Sequence, residues 1–251
     1  MRSLPPDPVF TLEHAAAAGW TSSALRHAVR CGRVARVRRG VYTGCGQITP
    51  AVLDRAAALT FPSIPLSHTS GARVWEVPLV GVRHHRTEMT VAPVGNADLA
   101  GVYSYRARVR DHELAVRDGM LVTSPARTVL DLARHHPTLT AVVALDHVLH
   151  NGLATADELR DVLDFCRSWP GAARARKAVA LCDSRSESPL ESLSRLVFPR
   201  LGLPAPEPQV LIFDAHGVFV ARSDFYWDHV GVVGEADGES KYDDGRAILV
   251  A

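Results

Sequence analysis

Glycines at positions 19, 32 and 40 divide the stretch Thr11–Gly44 into short pieces, and those pieces leave little choice of fold. "TLEHAAAAGW" reads as a helix with Thr11 as N-cap, His14 at the third helical position and Gly19 as its stop. "TSSALRHAVRCG" offers Thr21, Ser22 and Ser23 as caps and closes on Gly32. Its apolar residues Leu25, Ala28 and Val29 follow helical spacing, which leaves Arg26 and Arg30 four apart on the solvent face. "RVARVRRGVYTG" then alternates, with Val34 and Val37 between basic residues and "RRG" as a tight turn. Helix, turn, helix and basic hairpin follow one another in the order of a winged helix.

Charge supports that reading. From His14 to Leu53 there is no acidic residue, while Arg26, Arg30, Arg33, Arg36, Arg38 and Arg39 all fall there. Solvated faces usually mix signs, so an acid-free arginine segment points to a polyanion. In a winged helix the second helix enters the major groove and the hairpin lies on neighbouring phosphates. The expected DNA-binding set is therefore Ser22, Ser23, Arg26 and Arg30 on the helix, with Arg33, Arg36, Arg38 and Arg39 along the hairpin. Arg38 and Arg39 are expected at its tip. The net charge of +1 conceals an opposite excess further on, because Asp224–Asp244 holds seven acids against one lysine.

A chain of 251 residues has room for one large domain or two to three smaller ones. Its 47% apolar and 22% charged content is that of an ordinary globular protein. No apolar run approaches the roughly 20 residues of a membrane span, and "MRSLPPDPVF" lacks a secretory core, so a cytoplasmic location is expected. Cys31, Cys45, Cys166 and Cys182 have no C-x-x-C spacing and read as reduced structural thiols. The adjacent pairs His84-His85 and His135-His136 point in different directions on any regular element and form no chelate.

The middle, 49–183, reads as a mixed α/β region followed by helices. "AVLDRAAALTF" is a helix, and "EMTVAPV", "VYSYRARV" and "MLVTS" are strands. His68, Thr69 and Ser70 are a polar set, read as the start of a short helix through Val74 capped by Ser67 or Ser70. Ser124-Pro125 starts another helix, and Thr155 with Glu158 makes a capping box. The small polar stretch "DSRSES" is taken as the boundary of a last domain, 184–251. There a helix starts at Ser188-Pro189 with Glu191 in its first turn. "PQVLIFDAHG" and "FVARSDFYWDH" form a hairpin, and "VGVVGEADG" reads as a central buried strand.

The segments "PLESLSRLV", "PEPQVLI", "ARSDFYW" and "GEADG" together resemble the nuclease-like domain of the very-short-patch-repair (Vsr) type, a branch of the PD-(D/E)xK superfamily. "ALRHAVRCGRVARVRRGVY" and "TSPARTVLDLA" resemble actinobacterial AbiEi-like antitoxins of type IV toxin–antitoxin systems. The fold implied is α+β, with an N-terminal winged helix over 1–48, an AbiEi-like centre and a restriction-endonuclease-like α/β end. The nuclease resemblance implies Asp224, Glu235 and Glu191 as ligands of Mg2+ or Mn2+, with Asp237 and Lys241 completing a catalytic set. Hard carboxylates suit such an ion, which polarises a phosphate and activates water. Asp237 stands where many relatives carry a lysine. Two functions follow: a metal-dependent DNA endonuclease, or a non-catalytic repressor or antitoxin whose nuclease-like part is inactive. DNA, a toxin protein and a second copy of the chain are the partners implied.

Overall fold

The computed structural model describes residues 5, 7–44, 46–82, 86–94 and 99–237. Packing divides the chain into two compact units, Met1–Leu132 and Ala133–Ala251.

The first unit opens with β1 (Val9–Thr11), α1 (Leu12–Ala17), α2 (Ser22–Arg30), β2 (Val34–Arg38), β3 (Val41–Gly44) and α3 (Pro50–Thr60). Local chemistry sets these boundaries. Thr11 Oγ1 accepts from the His14 amide at 3.2 Å while His14 Nδ1 accepts from the Thr11 amide at 3.4 Å, a reciprocal cap. Of the three candidates it is Thr21 that caps α2, accepting from the Ala24 amide at 3.2 Å. The strands form an antiparallel sheet in the order β1-β3-β2. Phe10, Ala15, Trp20, Leu25, Ala28 and Val34 are buried together between sheet and helices. A second cluster, Val9, Val41 and Ala56, joins α3 to the sheet, so α3 is the third helix of the winged head.

Asp7 pairs with Arg55 on α3. Burial alone raises the Asp7 carboxyl pKa, but the Arg55 guanidinium and the Val9 amide outweigh it and hold it below its ordinary value. A carboxylate with a depressed folded pKa stabilises the fold above its unfolded pKa, about 3.9, and that contribution disappears as pH falls through the folded value. Asp7→Asn is expected to flatten the melting temperature profile between about pH 5 and about pH 2, read by thermal unfolding across that range.

The rest of the unit holds α4 (His68–Val74), the parallel pair β4 (Glu88–Val91) and β5 (Tyr103–Arg106), the hairpin β6 (Leu114–Arg117) and β7 (Met120–Thr123), and the start of α5 (Pro125–His135). The first two strands stop earlier than the sequence pattern suggests, and β6 is an addition to it. Pro93 has no amide to extend β4, and four residues of β6 are too few to show an alternation.

Buried polar residues organise this region. Arg127 is fully buried; its Nη1 donates to Glu113 at 2.8 Å and its Nε to Asp131 at 2.7 Å. It also reaches the Arg108 carbonyl at 3.0 Å. Thr128 bonds Thr123, and a Cβ on Gly71 would lie 2.9 Å from Thr128 Oγ1, so glycine is what lets α4 approach α5. The stretch "TSPARTVLDLA" is thus a buried structural motif. Ser67, His68, Thr69 and Ser70 serve the same kind of role. Ser67 sits at the N-cap of α4, but its hydroxyl accepts from Thr90 at 2.8 Å instead of capping. Thr69 donates to Glu88, Ser70 to Asp54, and Arg73 completes a pair with Asp54 at 2.6 Å. Arg127→Ala leaves Glu113 and Asp131 as buried carboxylates without their shared cation. A loss of about 3–5 kcal/mol is expected, measured by urea unfolding.

The second unit contains α6 (Thr138–His150), α7 (Ala156–Phe165), α8 (Ala172–Val179), α9 (Pro189–Val197), β8 (Glu207–Phe213), β9 (Phe219–Trp227) and β10 (Val232–Gly234). Thr155 and Glu158 form the expected capping box on α7. Gly171 begins α8 at φ +83°, pressed so closely on the Arg134 carbonyl that a Cβ would overlap it. Arg195 of α9 donates to Asp146 of α6 at 2.9 Å, and the Asp183 amide donates to the same carboxylate at 2.7 Å. Cys31, Cys166 and Cys182 are free thiols, and burial pushes Cys182 up to about 11; Cys45 lies outside the described residues.

The antiparallel sheet of this unit has the order β10-β9-β8. This corrects the expectation for "VGVVGEADG". β10 is a three-residue edge strand with Val232 and Val233 49% and 45% exposed, and β9 is the centre. A short apolar run reads the same on a covered centre as on an open edge, because sequence does not say which neighbours arrive. Phe198, just after α9, packs edge-on against Phe225 at 5.2 Å and Trp227 at 5.1 Å, which seats the helix on the sheet.

Candidate nucleic-acid interface

Two groups of residues singled out by the sequence bear on function: the arginines of the head and the acids of the second unit.

In the head, the outer face of α2 and the β2–β3 hairpin enclose an open groove of about 690 Å³. Ser22, Ser23, Arg26 and Arg30 line it from the helix, Arg36 and Tyr42 from the hairpin, and no carboxylate is among its lining residues. Ser22, Ser23, Arg26, Arg30, Arg33, Arg36 and Arg39 are all exposed. Their placement follows from the packing: Leu25 and Ala28 turn inward, which turns Arg26 and Arg30 outward. Tyr42 was not singled out by sequence, although its alternation with buried Val41 and Thr43 is the signal that places it on the groove side.

Arg38 differs from the others. Its guanidinium donates to the Ala100 carbonyl and lies over the Phe61 ring, 5.2 Å from the centroid. Burial lowers its pKa, yet a guanidinium stays charged at any physiological pH. The hairpin tip is therefore Arg39 with Gly40, at φ +78°, while Arg38 ties the hairpin to the Leu99–Gly101 turn. Arg106 and Arg108, at and just beyond the end of β5, are exposed, whereas Arg110 is paired with Glu113 at 3.0 Å.

The acids come together only in part. Glu191 is 6% exposed, and its Oε2 accepts from the Glu187 amide at 3.0 Å. Asp224 on β9 accepts from the Ala236 amide at 2.7 Å, which brings the chain after β10 alongside it. Between the two carboxylates lies Gln209, a residue that sequence reasoning passed over. Its Nε2 donates to Glu191 at 2.9 Å and to Asp224 at 3.2 Å. Glu235 and Asp237 are exposed, and Lys241 lies outside the described residues. Among the described residues no three of His, Cys, Asp and Glu gather as metal ligands would. An amide donor holds the space between Glu191 and Asp224, so this arrangement does not fit a bound divalent ion.

The geometry defines a basic winged head on a mixed α/β protein, and comparison with known proteins agrees in kind. Residues 7–43 match the family model described as transcriptional regulator, AbiEi antitoxin. Residues 78–181 match the AbiEi antitoxin C-terminal domain. These two stretches are thus similar to AbiEi antitoxin domains. Two relatives, the uncharacterized proteins MT2308 and Rv2248 of Mycobacterium tuberculosis strains CDC 1551 / Oshkosh and ATCC 25618 / H37Rv, are each 34% identical over 117 residues. The match takes in 47% of this chain and 43% of each relative, less than half of their length. The crystal structure of the RV2827C protein from Mycobacterium tuberculosis is similar with a TM-score of 0.48 and 16% identity, over 75% of this chain and 76% of that one. No helix among the described residues is long and apolar enough to cross a membrane.

Arg38→Ala removes the carbonyl bond and the ring contact that hold the hairpin. Faster amide exchange at residues 37–41 is expected by hydrogen-exchange mass spectrometry, with a stability loss on the order of 1 kcal/mol.

Proposed function

We propose that this protein is a DNA-binding transcriptional regulator of the antitoxin kind, acting through its winged head, and that its C-terminal α/β segment does not cleave DNA. The observation that carries this reading is the groove between α2 and the hairpin, which presents Arg26, Arg30 and Arg36 without a facing carboxylate. Ser22 and Ser23 at the start of α2 sit where a groove-entering helix contacts base edges. Arg36 and Arg39 are the hairpin's phosphate-binding groups, and Arg38 sets the hairpin's position. A toxin protein is the partner this reading implies, and the site of action is the cytoplasm.

Gel-shift or anisotropy titration against the DNA upstream of the protein's own gene tests the assignment. Affinity is expected to fall steeply with salt. Replacing Arg36 and Arg39 by alanine should lower the slope of log K against log salt by about 0.9 for each phosphate no longer neutralised. An unchanged slope removes the hairpin from the interface. Supercoiled plasmid incubated with Mg2+ or Mn2+ should stay intact; nicking by the wild type that Asp224→Ala abolishes would restore the endonuclease reading. Co-purification with the product of a neighbouring gene tests the toxin partnership.

A further inference from the structure

We infer that Gln209 is a built-in substitute for a cation, holding Glu191 and Asp224 together through its side-chain amide so that the C-terminal α/β segment is assembled without a metal ion. Three observations carry this. First, a single amide nitrogen donates to both carboxylates, at 2.9 Å to Glu191 and 3.2 Å to Asp224. Two acids brought this close need a shared positive partner, and the two N–H bonds of one carboxamide supply it in a fixed direction.

Second, the orientation of that amide is dictated by its neighbours. With nitrogen and oxygen exchanged, Oε1 would face two carboxylate oxygens, and three acceptors would repel one another. The orientation found instead leaves Oε1 buried without a hydrogen-bond partner. Leaving that oxygen unsatisfied costs less than setting it against two negative charges.

Third, the backbone of Gln209 is at φ +58°, a left-handed conformation that a non-glycine residue keeps only where its surroundings over-determine it. The paired register of β8 with β9 passes from Pro208↔Phe225 to Val210↔Ser223, and Gln209 falls between these pairs. The register is unbroken there, so Gln209 falls opposite Asp224 on β9, and its amide lies between helix α9 and strand β9. The three carboxylates that an ion would require are not gathered among the described residues.

The inference bears on the non-cleaving half of the function proposed above, but ion binding is measured separately from nicking, so the two fail independently. The experiment uses the full chain as wild type, Gln209→Glu, Gln209→Ala and Asp224→Asn. Thermal unfolding is recorded in EDTA and in millimolar Mn2+, and Mn2+ binding is followed by the loss of the free-ion electron paramagnetic resonance signal. The wild type should melt at the same temperature in both buffers and take up no Mn2+. Gln209→Ala should melt lower in EDTA, by roughly 5 °C. Gln209→Glu, which puts a third carboxylate at the centre, should lose as much in EDTA, regain it in Mn2+ and bind the ion. Mn2+ uptake by the wild type that Asp224→Asn abolishes would overturn the inference. So would a Gln209→Ala chain as stable in EDTA as the wild type. If Gln209→Glu does not fold, the wild-type titration and Gln209→Ala still decide.

Discussion

The guanidinium of Arg127, enclosed with no exposure between Glu113 and Asp131, is the interaction around which the first unit is built. A buried charge of this kind is tolerated only with near-complete pairing, so it fixes the relative position of every element that pairs with it. Glu113 ends the turn before β6, Asp131 lies one helical turn along α5, and the Arg108 carbonyl belongs to the segment after β5. Strand, turn and helix are thereby held in one arrangement. The Thr123–Thr128 bond and the close approach of Gly71 to Thr128 carry the same register across to α4. Polar residues that look chemically active in the sequence, His68 to Ser70 above all, are consumed by this scaffold.

The head owes its exposed basic groove to an asymmetry that the same scaffold makes possible. Its apolar stripe and its two-sided sheet are satisfied by the helices around it, which frees the arginines for solvent. One of them is taken back: Arg38 faces inward to the Ala100 carbonyl and the Phe61 ring. A hairpin anchored in this way presents Arg36 and Arg39 from a fixed position, so on the proposed function less conformational freedom would be lost on binding phosphates. The groove beside α2 is then bounded on both sides by groups whose places are set by the fold.

In the second unit the acids selected by resemblance to nucleases show how a pattern and its chemistry come apart. Glu191 and Asp224 do approach one another, each within hydrogen-bond distance of the same nitrogen. What occupies the space between them is Gln209, whose backbone departs from strand geometry to reach it. Spacing along the sequence revealed the two carboxylates. It gave no sign of a left-handed glutamine, since one residue's backbone angle leaves no periodic signal.

Sequence by itself determined the local elements: Thr11 and Thr155 as caps, a helix start within Thr21–Ser23 and another at Ser188, helical stripes such as Leu25 and Ala28, the Gly40 turn, and an acid-free arginine segment that marks the basic end of the chain. These follow from interactions within a few residues, which spacing encodes directly. Tertiary structure alone decided that β9 and not β10 is the central strand, that Arg38 is an anchor, that "TSPARTVLDLA" is a buried ion-pair motif, and that an amide stands between Glu191 and Asp224. Each of those depends on a partner far along the chain or on a neighbouring strand, and the energy of burying or pairing a charge is set by such partners rather than by sequence neighbours.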